Sequence, residues 1–171
     1  DFTDYFSSVG WVEARNPTDY ETPQTVFVGF HFRSTQPTKL QNSNNPLARF
    51  DYFFDIGAGA GKYGHMVQKI DPTVELVAIE IEKDYIKRFK LRSIYKKVLN
   101  ISATSLIQPK YLDVNFDVVM IGDTLEHLRK SDGIDVLHFL VYRCRWILIE
   151  FPCRYIQNKV DGYASEAHVS V

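Results

Sequence analysis

Cysteine is scarce in this chain. Cys144 and Cys153 are the only two, and they form neither a C-x-x-C pair nor a zinc-like set. A disulfide framework or a structural metal is therefore not expected. An excess of charge of one sign is missing as well. The formal net charge is −1, so no global field recruits nucleic acid or an anionic membrane surface, although a local basic patch is compatible with that sum. No apolar run approaches the ~20 residues of a membrane-spanning helix, and no signal-peptide pattern opens the sequence. The expectation is a cytoplasmic protein with no membrane partner. Aromatic residues, by contrast, are abundant at 14%, with 12 Phe and 10 Tyr. They suit either a generous core or an aromatic-lined pocket. A chain of 171 residues with a hydrophobic fraction of 45% suits one domain with a buried core.

From Phe50 onward strand and helix patterns alternate. FDYFFDIG is an apolar run ending in glycine and reads as a buried strand. KYGHMVQKI reads as a helix stopped by Asp71-Pro72, and VELVAIEIE as a second strand. KDYIKRFKLRSIY carries Ile86, Phe89 and Ile94 on one helical side; its basic residues are expected to form a solvated face, a surface for an acidic partner being the alternative. KKVLNI is a short third strand, and FDVVMIGD a fourth, apolar on both faces as a central parallel strand requires. SDGIDVLHFLVYRC spaces Ile134, Leu137 and Val141 as a helix does, with Ser131 or Asp132 able to cap it. RWILIEFP is a fifth strand, ended by Pro152. This alternation predicts an α/β fold, doubly wound, with a mostly parallel sheet and helices on both faces. Before it, residues 34–49 are polar and rich in Asn, Gln and Pro, and read as a linker.

The stretch FFDIGAGAGKYG admits two registers. Asp55 to Gly61 is D-x-G-x-G-x-G; Gly59 to Gly64 is G-x-G-x-x-G. Either places glycines between the first strand and the first helix, where the backbone turns tightly and a ligand can approach it. A dinucleotide would set its pyrophosphate on the helix N-terminus. Glu80, ending the second strand, is placed to accept hydrogen bonds from a ribose in either case. Two features favour the first register. Asp55 is placed to receive an ammonium and would repel a pyrophosphate. The other is FDVVMIGDTLEHL, Phe116 to Leu128.

A strand ending in Asp123 and followed by Leu125-Glu126-His127-Leu128 resembles the fourth motif of the class I S-adenosylmethionine-dependent methyltransferases. DIGAGAG resembles their first motif and VAIEIE their second, and the resemblance covers residues 50–152. It implies a Rossmann-like, seven-stranded sheet and S-adenosyl-L-methionine as cofactor. It further implies that Gly57, Ala58, Gly59 and Gly61 line the methionine tail with Asp55 nearby. Glu80 would bind the ribose and Ile81 pack on the adenine. Asn100, Ile101 and Ser102 stand where the family often has an acidic residue for the adenine amino group. Asp123, Thr124 and Leu125 would form the wall beside the sulfonium. The alternatives are a cofactor-binding regulatory or interaction module without catalysis, and an NAD(P)-dependent oxidoreductase.

The family's sheet runs 3-2-1-4-5-7-6. After RWILIEFP only the tail from Cys153 to Val171 follows, too short for a helix and two strands. Residues 1–33 carry the absent pattern: a helix, then GWVEAR, then TVFVGFHF. A circular permutation, with residues 10–33 supplying the sixth and seventh strands, is the expectation; the alternative is an unrelated N-terminal extension with a truncated sheet. The seventh and first strands would lie roughly 14–15 Å apart, three spacings of ~4.8 Å. The linker spans that easily.

Methyl transfer is an in-line attack on an activated sulfonium, so alignment and proton removal are the enzyme's tasks. His127, after the fourth strand, is the leading candidate base. Glu166 and His168 in SEAHVSV are further candidates, past the fifth strand where acceptor loops cluster. A packing role for His127 and a solvated tail for the others are the alternatives. No H-x-x-H pairing points to a metal. His65 and His138 are expected on helix surfaces, and His31 in a structural role on a strand. GDTL replaces the Asn/Asp-Pro-Pro-aromatic motif of enzymes that methylate base amines. Of the Lys-Asp-Lys-Glu set of ribose methyltransferases, only Asp123 and Glu150 have counterparts. A small-molecule acceptor is the residual expectation, with nucleic acid or protein acceptors still open.

Overall fold

A computed structural model describes residues 24–31, 51–111, 116–153 and 156–170. Strand β1 (Gln24–His31) is followed by β2 (Tyr52–Ile56), α1 (Lys62–Ile70), β3 (Glu75–Ile79), α2 (Lys83–Arg88) and α3 (Leu91–Ile94). Then come β4 (Lys97–Leu99), β5 (Phe116–Gly122), α4 (Lys130–Val141) and β6 (Cys144–Cys153). The six described strands form one sheet in the order β1-β6-β5-β2-β3-β4. β2 through β6 pair in parallel. β1 is antiparallel to β6, with Gln24 opposite Cys153 and His31 opposite Trp146. The strand expected from TVFVGFHF therefore lies at the edge of the described sheet, next to the fifth parallel strand. The expected N-terminal helix, the GWVEAR strand and the linker lie outside the described residues.

Successive residues of a strand point to opposite faces, and both faces of this sheet are covered. Phe53, Val118 and Met120 face α1, α2 and α3, packing with Val67, Ile86, Leu91 and Ile94. Phe54, Ile56, Val119 and Ile121 face the other way, onto Val136, Phe139 and Leu140 of α4 and onto Leu106. This is why the central strands are continuously apolar: each residue of β5 from Val118 to Gly122 is buried. No described helix is long and apolar enough to cross a membrane.

Two helix readings need correction. The segment from Lys83 to Tyr95 is not one helix. It breaks at Lys90, whose φ of 51° is left-handed. Beyond the break, Leu91, Ile94 and Tyr95 are all buried. In α4, neither Ser131 nor Asp132 is the cap. The helix begins at Lys130, with Arg129 in the cap position. Asp132 instead accepts from the Arg129 guanidinium at 3.0 Å, which keeps a negative charge in the first turn. The inward stripe is Gly133, Val136, Phe139 and Leu140. Ile134 is 53% exposed. His65 and His138 are exposed on helices, as expected.

The two faces of α4 predict different responses to truncation. Leu140→Ala, at a position with 0% exposure, should cost about 2–5 kcal/mol. Ile134→Ala should cost under ~1 kcal/mol. Urea unfolding midpoints at unchanged slope check this; equal losses would place both residues in the core.

Candidate functional site

The strand order reverses at β2, between β3 and β5, and ligands of open α/β sheets bind in the crevice outside the strand ends at such a point. A cavity of about 640 Å³ lies there, within the size range of ligand pockets. Its floor is the loop from Gly57 to Ala60. Gly57 has a φ of 76°, and a Cβ on it would stand 2.1 Å from the Thr124 Oγ1. Only glycine fits between the two strand ends.

Glu80 braces this loop. Its Oε2 accepts from the Gly59 N–H at 2.8 Å, and its Oε1 from the Glu82 N–H at 2.7 Å. A carboxylate offers about four acceptor sites, so two amides leave capacity for two hydroxyls. Burial raises the Glu80 pKa, while the Glu82 and Gly59 amides oppose the rise. Ile81 lines the cavity and is 51% exposed, an open apolar platform. Ile101 and Ser102 line it as well. The Ser102 hydroxyl also accepts from the Thr104 N–H at 3.3 Å, capping the turn Ala103–Ile107. On the β5 side, Asp123 and Thr124 form the wall. The Thr124 hydroxyl lies 2.9 Å from the Gly122 carbonyl and 3.1 Å from that of Ile56, pinning β5 to β2.

Four expected contacts are absent from the cavity wall. Asp55 is fully buried on the face of β2 that meets α3, as strand alternation dictates, and the Tyr95 hydroxyl donates to its Oδ2. Tyr95 in turn accepts from the Gly64 N–H at 3.1 Å. Burial, above all, pushes the Asp55 carboxyl up to about 7. Gly61 caps α1 and is a packing glycine, where a Cβ would meet the Ile94 Cδ1 at 2.7 Å. Asn100 is exposed and spends its amide on the carbonyls of Glu80 and Ile81, at 2.8 and 2.7 Å, so it ties β3 to β4. Leu125 packs into the α4-side core.

The segment from Ile156 to Ser170 lies across the cavity and brings in residues distant in sequence. Val169 and Ser170 donate backbone N–H groups to the Glu126 carbonyl at 2.8 and 3.1 Å. The His127 and His168 rings meet edge to face, 4.8 Å between centroids. The His127 Nδ1 lies 3.2 Å from the Ala167 carbonyl. A carbonyl only accepts, so Nδ1 carries the proton and Nε2 is left as acceptor. Burial lowers the His127 pKa. Glu166 lines the cavity but supplies no donor atom to the cluster of Glu126, His127 and His168. Burial, with the Glu166 charge beside it, raises the Tyr85 pKa.

Sequence reasoning missed Glu126, which is buried with neither carboxyl oxygen hydrogen-bonded. Its signal was an acidic residue inside the apolar LEHL. It also missed Tyr85, and Lys62, which lines the cavity and pairs with Glu150 at 3.2 Å. A lysine does reach the Glu150 carboxylate, then, but from α1.

No family model matches the sequence, and no curated protein matches it. Solved structures do. The five parallel strands of the described sheet run in the order 3-2-1-4-5 that the sequence resemblance implied, with β1 antiparallel beside the fifth. The plantazolicin methyltransferase BpumL in complex with SAH is 18% identical, with a TM-score of 0.46 over 54% of this chain and 34% of that one. The N-terminal domain of EvdMO1 with SAH bound is 17% identical, with a TM-score of 0.46 over 57% of this chain and 41% of that one. A putative O-methyltransferase from Nostoc punctiforme is 16% identical, with a TM-score of 0.43 over 55% and 29%. The matches thus span well under half of each of these proteins.

The Asp55 environment predicts a pH dependence of stability. Folded, its carboxyl keeps a proton up to about pH 7; unfolded, it releases it near 3.8. The folded state binds more protons in that window, so Asp55 makes stability fall as pH rises through it. In ligand-free protein, Tm should be lower at pH 8 than at pH 5, and Asp55→Asn should shrink that difference. An unchanged difference in the variant would show Asp55 ionised throughout.

Proposed function

We propose that this chain binds S-adenosyl-L-methionine in the cavity and transfers its methyl group to an oxygen or nitrogen of a small acceptor. The charge of the cavity carries this reading. Glu80, Asp123 and Glu166 line it, beside Glu126, whose carboxyl is pushed up to about 7 by burial, against one lysine, Lys62, which is already paired with Glu150. Such a wall attracts a sulfonium and an ammonium and repels a pyrophosphate. With Asp55 turned into the core, these wall carboxylates take over the argument that the sequence assigned to it.

Bound there, the cofactor would supply a methyl group already activated on sulfur. Gly57, Ala58 and Gly59 would hold the amino-acid tail, and Glu80 the ribose hydroxyls. Ile81, Ile101 and Ser102 would flank the adenine. Asp123 and Thr124 would bound the reacting centre. His127 and His168 line the far end of the same cavity, where an acceptor would lose its proton.

Titration calorimetry tests the binding half. S-adenosylhomocysteine should bind at micromolar Kd, and Glu80→Ala should weaken it about fivefold or more, by ~1–3 kcal/mol. Binding of NAD instead would sink the reading in favour of an oxidoreductase. Labelled methyl transfer to a panel of hydroxyl and amine acceptors separates an enzyme from a binding module.

We also propose that β1 is the last strand of a circularly permuted sheet. Support comes from its position: it precedes the glycine-loop strand in sequence yet lies antiparallel beside β6. Deleting residues 1–33 would leave β6 an open edge prone to pairing with other chains. Size-exclusion chromatography should then detect association, while a monomeric, fully folded truncation would count against the assignment.

A further inference from the structure

The acceptor end of the cavity carries a cluster whose arrangement goes beyond proton removal. Glu126, His127 and His168 each place one donor atom within 4.8 Å of the other two. We propose that these three side chains hold one divalent first-row transition-metal cation.

Three observations support it besides proximity. Glu126 is 5% exposed, and neither of its carboxyl oxygens has a hydrogen-bond partner. A buried carboxylate without partners is costly, and a coordinated cation removes that cost. The His127 ring is held as metal-binding imidazoles are held. Nδ1 donates to the Ala167 carbonyl at 3.2 Å, which fixes the tautomer and leaves Nε2 as the donor atom. The two segments that carry the ligands are also fastened together. The turn Leu125–His127 supplies Glu126 and His127, and the tail supplies His168. The tail bonds from Val169 and Ser170 to the Glu126 carbonyl, and from the Ser170 hydroxyl to the Leu125 carbonyl at 3.1 Å, hold the pieces in register. Nitrogen and oxygen donors bind such cations at roughly 2.0–2.2 Å. The three side chains therefore close on the ion by rotating inward.

Two imidazoles and one carboxylate suit Mn²⁺, Fe²⁺, Co²⁺ or Zn²⁺ better than Ca²⁺ or Mg²⁺, which take oxygen shells. All three residues line the cavity, so coordination positions open toward a ligand there. A hydroxyl oxygen is a fitting donor for such a position, which narrows the acceptor to a hydroxyl compound. That choice of acceptor rests on the methyl-transfer reading; cation binding does not.

The test uses the whole chain, freed of metal with EDTA and dialysed. Mn²⁺ is titrated by electron paramagnetic resonance and Zn²⁺ by calorimetry. The wild type should bind one ion per chain. Glu126→Gln and His168→Ala should each weaken binding at least tenfold while keeping the wild-type circular dichroism spectrum. Absence of binding by the wild type, or undiminished binding by both folded variants, overturns the site. Parallel titration with S-adenosylhomocysteine keeps the two proposals apart. Glu126-dependent Mn²⁺ binding without S-adenosylhomocysteine binding supports the metal site and removes only the methyl-transfer reading.

Discussion

Two hydrogen bonds to one carboxylate set the geometry on which the cavity rests. Glu80, at the end of β3, accepts from the amide of Gly59 in the neighbouring loop and from that of Glu82 in its own. Charge-assisted bonds of this kind are roughly twice as strong as neutral ones. They hold the glycine loop against the second strand end. The Gly57 and Ala58 amides add a second tie by donating to the Ile79 carbonyl at 2.9 and 3.0 Å. The Asn100 amide then fastens the end of β3 to β4. Three consecutive strand ends are thereby fixed before any ligand arrives, and a site built this way loses little entropy on binding.

Asp55 and Glu80 show how strand position divides two acidic residues between two tasks. Both end parallel strands, and both are buried. Glu80 follows the last residue of β3, at the crevice, and meets backbone amides. Asp55 lies one residue inside the end of β2, and alternation turns it under the loop onto Tyr95. There its ionised form finds one hydroxyl donor and an oxygen left bare. A motif that places an acid near a glycine loop thus does not specify which side of the sheet the acid faces. The parity of the strand does.

Much of the fold was legible in the sequence, and the reasons are local. The run KYGHMVQKI has its own stop at Asp71-Pro72, and α1 ends at Ile70. The continuous apolar strands announced burial on both faces. The break at Lys90 was not legible, because LRSIY keeps a helical pattern and only the core decides that Leu91 and Tyr95 must both turn inward. Ile134 misled for a related reason: spacing alone fits more than one stripe in a short helix, and the sheet selects among them. At the site, Glu80, Ile81 and Thr124 lie where the motifs put them. Asn100 and Leu125 do not, since each has a nearer partner in the scaffold. The approach of His168 to His127 needed tertiary structure, as the residues are joined through an irregular tail.

That tail links both ends of the cavity. Near Glu80, the Ser165 hydroxyl donates to the Glu82 carboxylate, and the Tyr163 ring meets the Tyr85 ring at 5.5 Å. At the other end, Val169 and Ser170 bond to the Glu126 carbonyl. Within the tail, the Gln157 side chain donates to the Glu166 carbonyl at 2.7 Å, and the His168 N–H donates to the Gln157 carbonyl at 2.9 Å. The segment contains one short 3-10 turn and one isolated bridge, and buries none of its residues fully. Its order therefore comes from contacts with the cavity rim and not from secondary structure of its own. Polar contacts at both ends thus let one short segment bridge the Glu82 and Tyr85 side of the cavity and the turn that carries His127.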